Sequence, residues 1–565
     1  MGRMLAQLSP RGTKVFVKFQ RHGEMQNRTL GGFLGTKGCL YSFLPFAWGA
    51  ASPPSKAEQS MQSLLAETMG ASNCLIAWIC LAHFAVKFFP CRKDRGEPPP
   101  GTHREPAMGA KGDPFSVSLA NLLTCYNQKF PMADIHPFRA LRYDLQRVPA
   151  SQVVTQPYDK ITPDMQQRYY AASPYNLVRI ILGRREPSDS ASNNVYSRAA
   201  AYARDWRAEG VFRQDSDPSV YAYSQTFTAP SGSKFERRGF IALGRVDDYS
   251  ARVVFRHEQT LAKPKADRLD LLRSTRAHYE QLFLLYEDSG DIARRLTPDP
   301  SASPAIDVAD EYGVAHRLWQ ISDAGVIAEV QNKMRDRKLV IADGHHRYET
   351  ALNFRNECRT SAGKNSDPNA PYEFVMMTFV NMNDPGLLVL PTHRVVHSLN
   401  SFSADEFQKS ASRYFEVEEI DAGLDAARAT TRLTERGRAG SALLAVTANR
   451  AFLLHSPKAA GTQLFAGLSA RQQALDVVQL HKCLLEGVLQ LSEESIQNQQ
   501  NLSYLRDASE ALDQVRKGAA NISFLMNPCP VAQVRDVAFA GEVMPQKSTD
   551  FYPKLLSGLT AYALD

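Results

Sequence analysis

The alternation of apolar and polar residues changes character near residue 132. Downstream of it, short unbroken apolar runs alternate with stretches in which apolar residues recur every three or four positions, the pattern of buried strands separated by amphipathic helices. Runs at 177–182 (closed by Gly183), 221–227, 239–246, 282–286, 338–342, 374–379 and 387–390 predict strands. Val153-Val154 leading into Gln156-Pro157-Tyr158-Asp159 predicts another that ends in a turn. Helical spacing covers 194–209, stopped by Gly210 with Trp206 on the inner face, and also 265–281 and 323–334. Beyond about residue 398, helices at 404–414, 424–435, 474–491 and 508–517 mix with strands at 415–420 and 522–526 and a hairpin of 442–447 with 451–455. The prediction is a mixed α+β fold, with an α/β core over 132–397 and a smaller α+β region over 398–565. The strands at 374–379 and 387–390 are expected beside 339–342 in one sheet.

One junction carries the most chemistry. The apolar run 338–342 breaks at Asp343-Gly344, and His345-His346-Arg347 opens a helical pattern with Tyr348, Ala351, Leu352 and Phe354 on related faces. A strand, a tight glycine turn and a helix start leave backbone N–H donors and the positive end of the helix dipole pointing at the turn. Two imidazoles and a guanidinium at that end oppose the dipole, and a bound phosphate or carboxylate balances both. The plainer alternative is a helix capped by Asp343 with exposed histidines. Adjacent histidines point in different directions on a helix, unlike the i, i+4 pair of a zinc helix.

Other candidates gather around strand ends and loops. Arg256-His257-Glu258-Gln259-Thr260 follows the apolar Val253-Val254-Phe255, so His257 and Glu258 are candidates to line a site. Lys265 and Arg268 add positive charge on the helix that follows. Met544-Pro545-Gln546-Lys547-Ser548-Thr549 is too polar for core, and a lysine beside two hydroxyls suits phosphate, although no GxxxxGK precedes it. His393 and Arg394 end the 387–390 strand and are expected near the turn. Asp159, in the QPYD turn, is a candidate base or Mg²⁺ ligand.

Charge narrows the partners. The net +7 is confined to residues 1–131, which hold 15 Lys+Arg against 7 Asp+Glu, whereas the rest holds 51 against 52. The body therefore has no overall basic bias, and no nucleic acid partner is expected. Five of the eight cysteines precede residue 132, with no zinc spacing among the others, which fits a cytoplasmic body. Residues 1–131 lack periodicity and read as a poorly ordered leader or an extension from a wrong start. The apolar 74–89 segment contains His83 and Lys87 and falls short of the ~20 residues of a spanning helix, so no stable membrane span is expected.

From residue 132 onward the chain resembles a bacterial family known as domain of unknown function 1015. The stretches HPFRALRYD (136–144), QPYDKI (156–161), SPYNLVRIILG (173–183), RHEQTLAKPKADRLDLLRSTRAH (256–278), VIADGHHRYETAL (340–352), MTFVNMNDPGLLVLPTHRVV (377–396) and MPQKSTDFYPKL (544–555) carry that resemblance. Asp343-Gly344-His345-His346-Arg347 is in addition similar to the phosphate-binding motif of the ParB N-terminal/sulfiredoxin superfamily, which includes free-serine kinases. That second resemblance implies a ParB/sulfiredoxin-like core with insertions, and contact of Gly344, His345, His346 and Arg347 with nucleotide phosphates.

Two readings follow. In the first, the protein is a small-molecule kinase or phosphatase acting on a phosphorylated metabolite, serine or phosphoserine in the lead. ATP or ADP and Mg²⁺ are the expected cofactors, Arg347 clamps phosphate, His345, His346, Asp343 or Asp159 handles protons or metal, and Lys547, Ser548, Thr549, Lys265 and Arg268 complete the phosphate site. In the second, the protein is a nucleotide-binding regulator of ParB type that turns over no metabolite. Unrelated acid–base chemistry on a carboxylate or sugar acid is a third possibility.

Overall fold

A computed structural model describes residues 133–258 and 262–565, together with three N-terminal strands. The chain divides into two units, 1–130 and 131–565. In the first unit, Met4–Leu8, Val15–Arg21 and Glu24–Thr29 form an antiparallel sheet. The apolar 74–89 segment lies outside the described residues. Among the described residues, no helix is long and apolar enough to cross a membrane.

The second unit is mixed α+β and is built on two sheets. A nine-stranded mixed sheet runs Ile306–Ala309, Ala315–Ile321, Val220–Thr228, Lys234–Arg245, Phe374–Asn381, Leu282–Tyr286, Leu339–Asp343 and Val254–Phe255, with Ile135–His136 pairing on Lys234–Arg245. Two of its pairings are parallel, Leu282–Tyr286 with Phe374–Asn381 and Leu339–Asp343 with Val254–Phe255. The unbroken apolar runs follow from burial on both faces. Leu339 and Ile341 enter one core with Leu282, Leu284 and Phe379, while Val340 and Ala342 enter another with Phe283 and Leu285. That second core continues into the other sheet through Val396, Leu443, Phe452 and Phe524.

The second sheet is antiparallel, in the order Glu416–Ile420, Ala451–His455, Ala442–Val446, Ile522–Met526, His393–Val396 and Leu502–Leu505. The last residues of the chain then return to the first sheet's region. Asp550–Tyr552 pairs with Leu388–Leu390, Ser557 bridges Thr155, and Tyr562–Ala563 pairs with Ala277–His278.

Several predicted elements differ. Residues 177–182 are not a strand: Val178–Ile181 is a helical turn started by the Asn176 side chain, which accepts the Val178 N–H at 3.0 Å. Its apolar run has no period because Leu177, Val178, Ile180 and Ile181 are all buried. The strand expected from Val153 is a helix, Ala150–Val153, followed by the Tyr158–Lys160 turn. The helix at 265–281 ends at Thr275, where Arg276 turns left-handed with φ 52°. Leu388–Leu390 is not in the nine-stranded sheet, and Leu282–Tyr286 separates Phe374–Asn381 from Leu339–Asp343. The helix at 474–491 is broken into Asp476–Gln479 and the π-helical Leu480–Val488.

Candidate functional site

The strand Leu339–Asp343 ends at the DGHHR turn, and its sheet neighbours bring their own polar ends to the same place. Parallel pairing with Val254–Phe255 carries Arg256, His257 and Glu258 alongside it. Antiparallel pairing of Phe283 with Asp343 puts Glu280 and Gln281 beside the turn. The 544–549 loop is held there by a Glu258–Met544 bridge, in which the His257 carbonyl accepts the Met544 N–H at 2.7 Å.

Gly344 is required by its geometry. Its φ is 93°, and a Cβ would come within 3.0 Å of Leu282 Cδ2 and 3.1 Å of Arg347 Nε. The helix His345–Ala362 starts from this glycine with no side-chain cap and no acidic residue in its first turn. Asp343 is therefore not the N-cap that the plainer alternative requires. It instead accepts from Arg347 at 3.2 Å and faces the Lys554 ammonium at 3.7 Å. Burial would raise its carboxyl, but Lys554 and Arg347 outweigh that and hold it well below the ordinary carboxylate range.

Arg347 also donates to the Gln281 carbonyl and is charge-coupled to Glu280 and Asp159. Two arms of its guanidinium thus brace the turn. Burial opposes the charge on Lys554, but Asp343 and Asp550, the latter 3.1 Å away, hold it above the usual lysine value. Asp550 is in turn bonded by Arg506. Lys160 stands in the same field. Burial and the nearby Lys554 lower its affinity for a proton, while Asp159 at 3.8 Å opposes them.

The histidines are arranged in sequence. His257 meets the Ile341 carbonyl through Nδ1 at 2.7 Å, which requires the proton there, so Nε2 accepts from Thr549 Oγ1 at 2.8 Å. Its backbone N–H points at His345 Nε2, 3.5 Å away, which leaves the His345 proton on Nδ1. Burial, then the adjacent imidazole, holds His345 well below its usual value, and burial lowers His257 as well. His346 is half-buried, and burial lowers it too, although Glu349 and Asp159 pull the other way.

Glu258 fastens the loop by accepting the N–H of Ser548 at 3.1 Å and of Thr549 at 3.3 Å. Lys547 is exposed and left-handed, with φ 58°, and its carbonyl accepts from Arg394 at 2.9 Å.

Of the residues singled out in the sequence, Asp343, Gly344, His345, His346, Arg347, His257, Glu258, Ser548, Thr549, Lys547 and Asp159 come together around the turn. Lys265 pairs with Glu349 at 2.8 Å on the first turns of the same helix. Arg268 is turned inward: it donates to the Ile181 carbonyl at 2.6 Å and lies 3.8 Å from Glu280. His393 and Arg394 belong to the second sheet. His393 accepts the Met526 N–H at 3.2 Å, and Arg394 supports the 544–549 loop from behind. Lys554, Lys160, Glu280 and Asp550 were missed. Lys554 and Lys160 fall in MPQKSTDFYPKL and QPYDKI, where nothing but that shared membership marks them. Among the described residues no group of three His, Cys, Asp or Glu side chains is placed to hold a metal.

The model of a family described as a protein of unknown function (DUF1015) matches residues 135–478. No curated protein matches the chain. Among solved structures, a conserved hypothetical protein from Pyrococcus furiosus is 13% identical with a TM-score of 0.28, covering 55% of this chain and 90% of its own. A free serine kinase in complex with AMP is 13% identical with a TM-score of 0.28, covering 55% and 86%. A C-terminally truncated SbnI from Staphylococcus aureus is 10% identical with a TM-score of 0.27, covering 56% and 85%.

Proposed function

This chain belongs to the DUF1015 family, and on that premise we propose that its DGHHR turn binds the phosphate of a small metabolite whose phosphoryl group the protein transfers or removes. The observation that carries this reading is the uncapped start of the His345–Ala362 helix, to which Arg347, Lys554 and Lys160 add cationic charge. N–H donors, a dipole and these cations converge there; Asp343, Asp550 and Asp159 answer the cations, but no side chain caps the N–H donors of the helix start. A phosphate completes that balance. The DGHHR resemblance to the free-serine-kinase superfamily makes serine and phosphoserine the leading substrates.

In this mechanism the N–H groups of the turn and those N–H groups of Arg347 not given to Asp343 and Gln281 hold phosphate oxygens, with Lys554, Lys160 and Lys547 spreading the charge that develops during transfer. His346, kept neutral at pH 7 by burial, takes the proton of the serine hydroxyl as that oxygen bonds to phosphorus and the P–O bond to the donor breaks, the donor oxygen leaving with the electron pair; in the reverse direction His346 returns the proton to the serine oxygen as the ester bond breaks. His345 donates through Nδ1 to a phosphate oxygen and keeps its proton. With Asp343 committed to Arg347 and Lys554, the exposed Asp159 is the carboxylate left to hold a Mg²⁺ together with the ligand's own oxygens, and such an ion would neutralise charge on the transferring group.

The test is incubation of the purified chain with phosphoserine and Mg²⁺, with and without ADP, following serine, ATP and free phosphate. ADP-dependent serine and ATP establish a kinase running in reverse. Serine and free phosphate without nucleotide establish a phosphatase. No turnover beside measurable ADP binding overturns the enzyme in favour of a nucleotide-binding switch. Full activity in Arg347→Ala overturns the site.

A further inference from the structure

The helices Pro163–Ala172, Val178–Ile181 and Val195–Ala208 border an open pocket of about 420 Å³ that the proposed phosphate site does not use. Tyr170, Arg179, Gly183, Arg184, Glu186 and Arg198 are among the residues that line it. The Arg179 and Arg184 guanidiniums lie 4.4 Å and 4.1 Å from the centroid of the same Tyr170 ring. The ring is held in place, because its hydroxyl accepts the Arg184 N–H at 2.9 Å. Gly183 lets Val195 pack closely on this turn: a Cβ there would meet Val195 Cγ2 at 2.8 Å and the Arg179 carbonyl at 3.1 Å.

The charges around this cavity do not balance. Arg198 is answered by Asp189 at 2.6 Å and Glu186 at 3.8 Å, and the neighbouring Arg185 by Asp267 at 3.1 Å. Arg179 donates only to backbone carbonyls, those of Tyr170 at 2.9 Å and Ser173 at 3.5 Å. Among the described residues neither Arg179 nor Arg184 pairs with a carboxylate. Two guanidiniums sharing one aromatic ring repel each other, and planar forked donors of this kind match an oxyanion. The volume leaves room for an organic body beyond the anion itself.

We propose that this cavity binds a small metabolite through a phosphate or carboxylate group, with Arg179 and Arg184 as its cationic contacts. The site is separate from the DGHHR turn and does not depend on the reading given to that turn.

The test is calorimetric titration of the full chain with inorganic phosphate and, separately, with succinate. Arg184→Glu and Arg184→Gln alter an exposed side chain and leave the unfolding midpoint unchanged, and Lys547→Ala perturbs the DGHHR side alone. The expected result is a binding event that survives Lys547→Ala and weakens about tenfold or more in both Arg184 variants. A phosphate response that weakens in the Arg184 variants assigns a phosphate ester, and a succinate response that weakens in them assigns a carboxylate. No binding of either anion at millimolar concentration overturns the proposal, as do Arg184 isotherms that superimpose on those of the wild type.

Discussion

In the second sheet's part of the chain, several helices begin as stability asks. Ser403, Asp425, Ser492 and Asp507 each precede a helix and accept an N–H from its first turn, and Asp405, Glu406, Glu493, Glu494 and Glu510 sit where the dipole favours a negative charge. The His345–Ala362 helix in the first sheet's part does the reverse, with a left-handed glycine, no cap, no acidic first turn and His-His-Arg at its positive end. Arg347 is balanced by Asp343, which comes from the strand instead of the helix. Local stability that is kept at those helix starts has been given up at this junction, and such a departure is expected where a chain has a ligand to hold.

The largest effect that sharpens this contrast is acid sensitivity. Buried histidines occur in both parts. Burial lowers His257 and His345 at the turn, and it takes His393 to about 4 and His481 to about 3 in the second part. A histidine depressed in the folded state contributes its stability fully above its ordinary value of 6.5 and loses it as pH falls toward the folded value. Between pH 7 and pH 5 each of His393 and His481 therefore costs about 2 kcal/mol. Urea melts at pH 7, 6 and 5 should show stability falling steadily. Phosphate should reduce the loss only through the DGHHR histidines, so His345→Gln should abolish that protection and His481→Gln should not. Stability that is flat or rising toward pH 5 refutes the assignment.

Lys554→Met comes next. It leaves Asp343 and Asp550 facing a low-polarity interior without their shared ammonium, and a loss of about 3 kcal/mol is expected. Lys517→Met breaks an exposed pair with Asp513 at 2.8 Å and should cost less than about 0.5 kcal/mol. Equal losses in denaturant titration would mean that the cluster at the turn is no more than surface charge.

Smaller still is the exchange of helix starts. Gly344→Ala forces a side chain into a left-handed position and against Leu282 and Arg347, costing about 2 kcal/mol and lowering turnover about a hundredfold through displacement of the site. Asp507→Ala removes an ordinary cap for about 1 kcal/mol and leaves turnover intact. Thermal unfolding and phosphoserine turnover measured on both variants separate capping from chemistry.

The turn was legible because its signals are local: an apolar run, Asp-Gly, then cations where a helix begins. The long strands and amphipathic helices were legible for the same reason. The cations that complete the site were not, because tertiary pairing delivers them. Thr155 meeting Ser557 brings the Lys160 turn toward the Lys554 segment, although neither lysine differs locally from a solvated one. The 177–182 run misled because burial on every side erases the period that separates helix from strand. His393 and Arg394 were placed at the turn on sequence proximity to 387–390, yet Leu388–Leu390 pairs with Asp550–Tyr552 while His393–Val396 joins the other sheet.

The smallest predicted effect isolates the loop. Lys547 and Gln499 are both exposed, non-glycine and left-handed, with φ 58° and 55°. Replacing either with glycine relieves about 1 kcal/mol of backbone strain, offset in part by the greater freedom of glycine in the unfolded chain. Both variants should therefore stay within about 0.5 kcal/mol of the wild type. They should part on ligand binding. Lys547 is charge-coupled to His346 and Lys160, and Arg394 fixes its carbonyl, so Lys547→Gly should weaken phosphate binding by about threefold to tenfold. Gln499→Gly, in the second part, should not change it. Calorimetry with phosphate decides the matter, and unchanged affinity in Lys547→Gly removes this lysine from the site while leaving Arg347 and Lys554 to hold the anion alone.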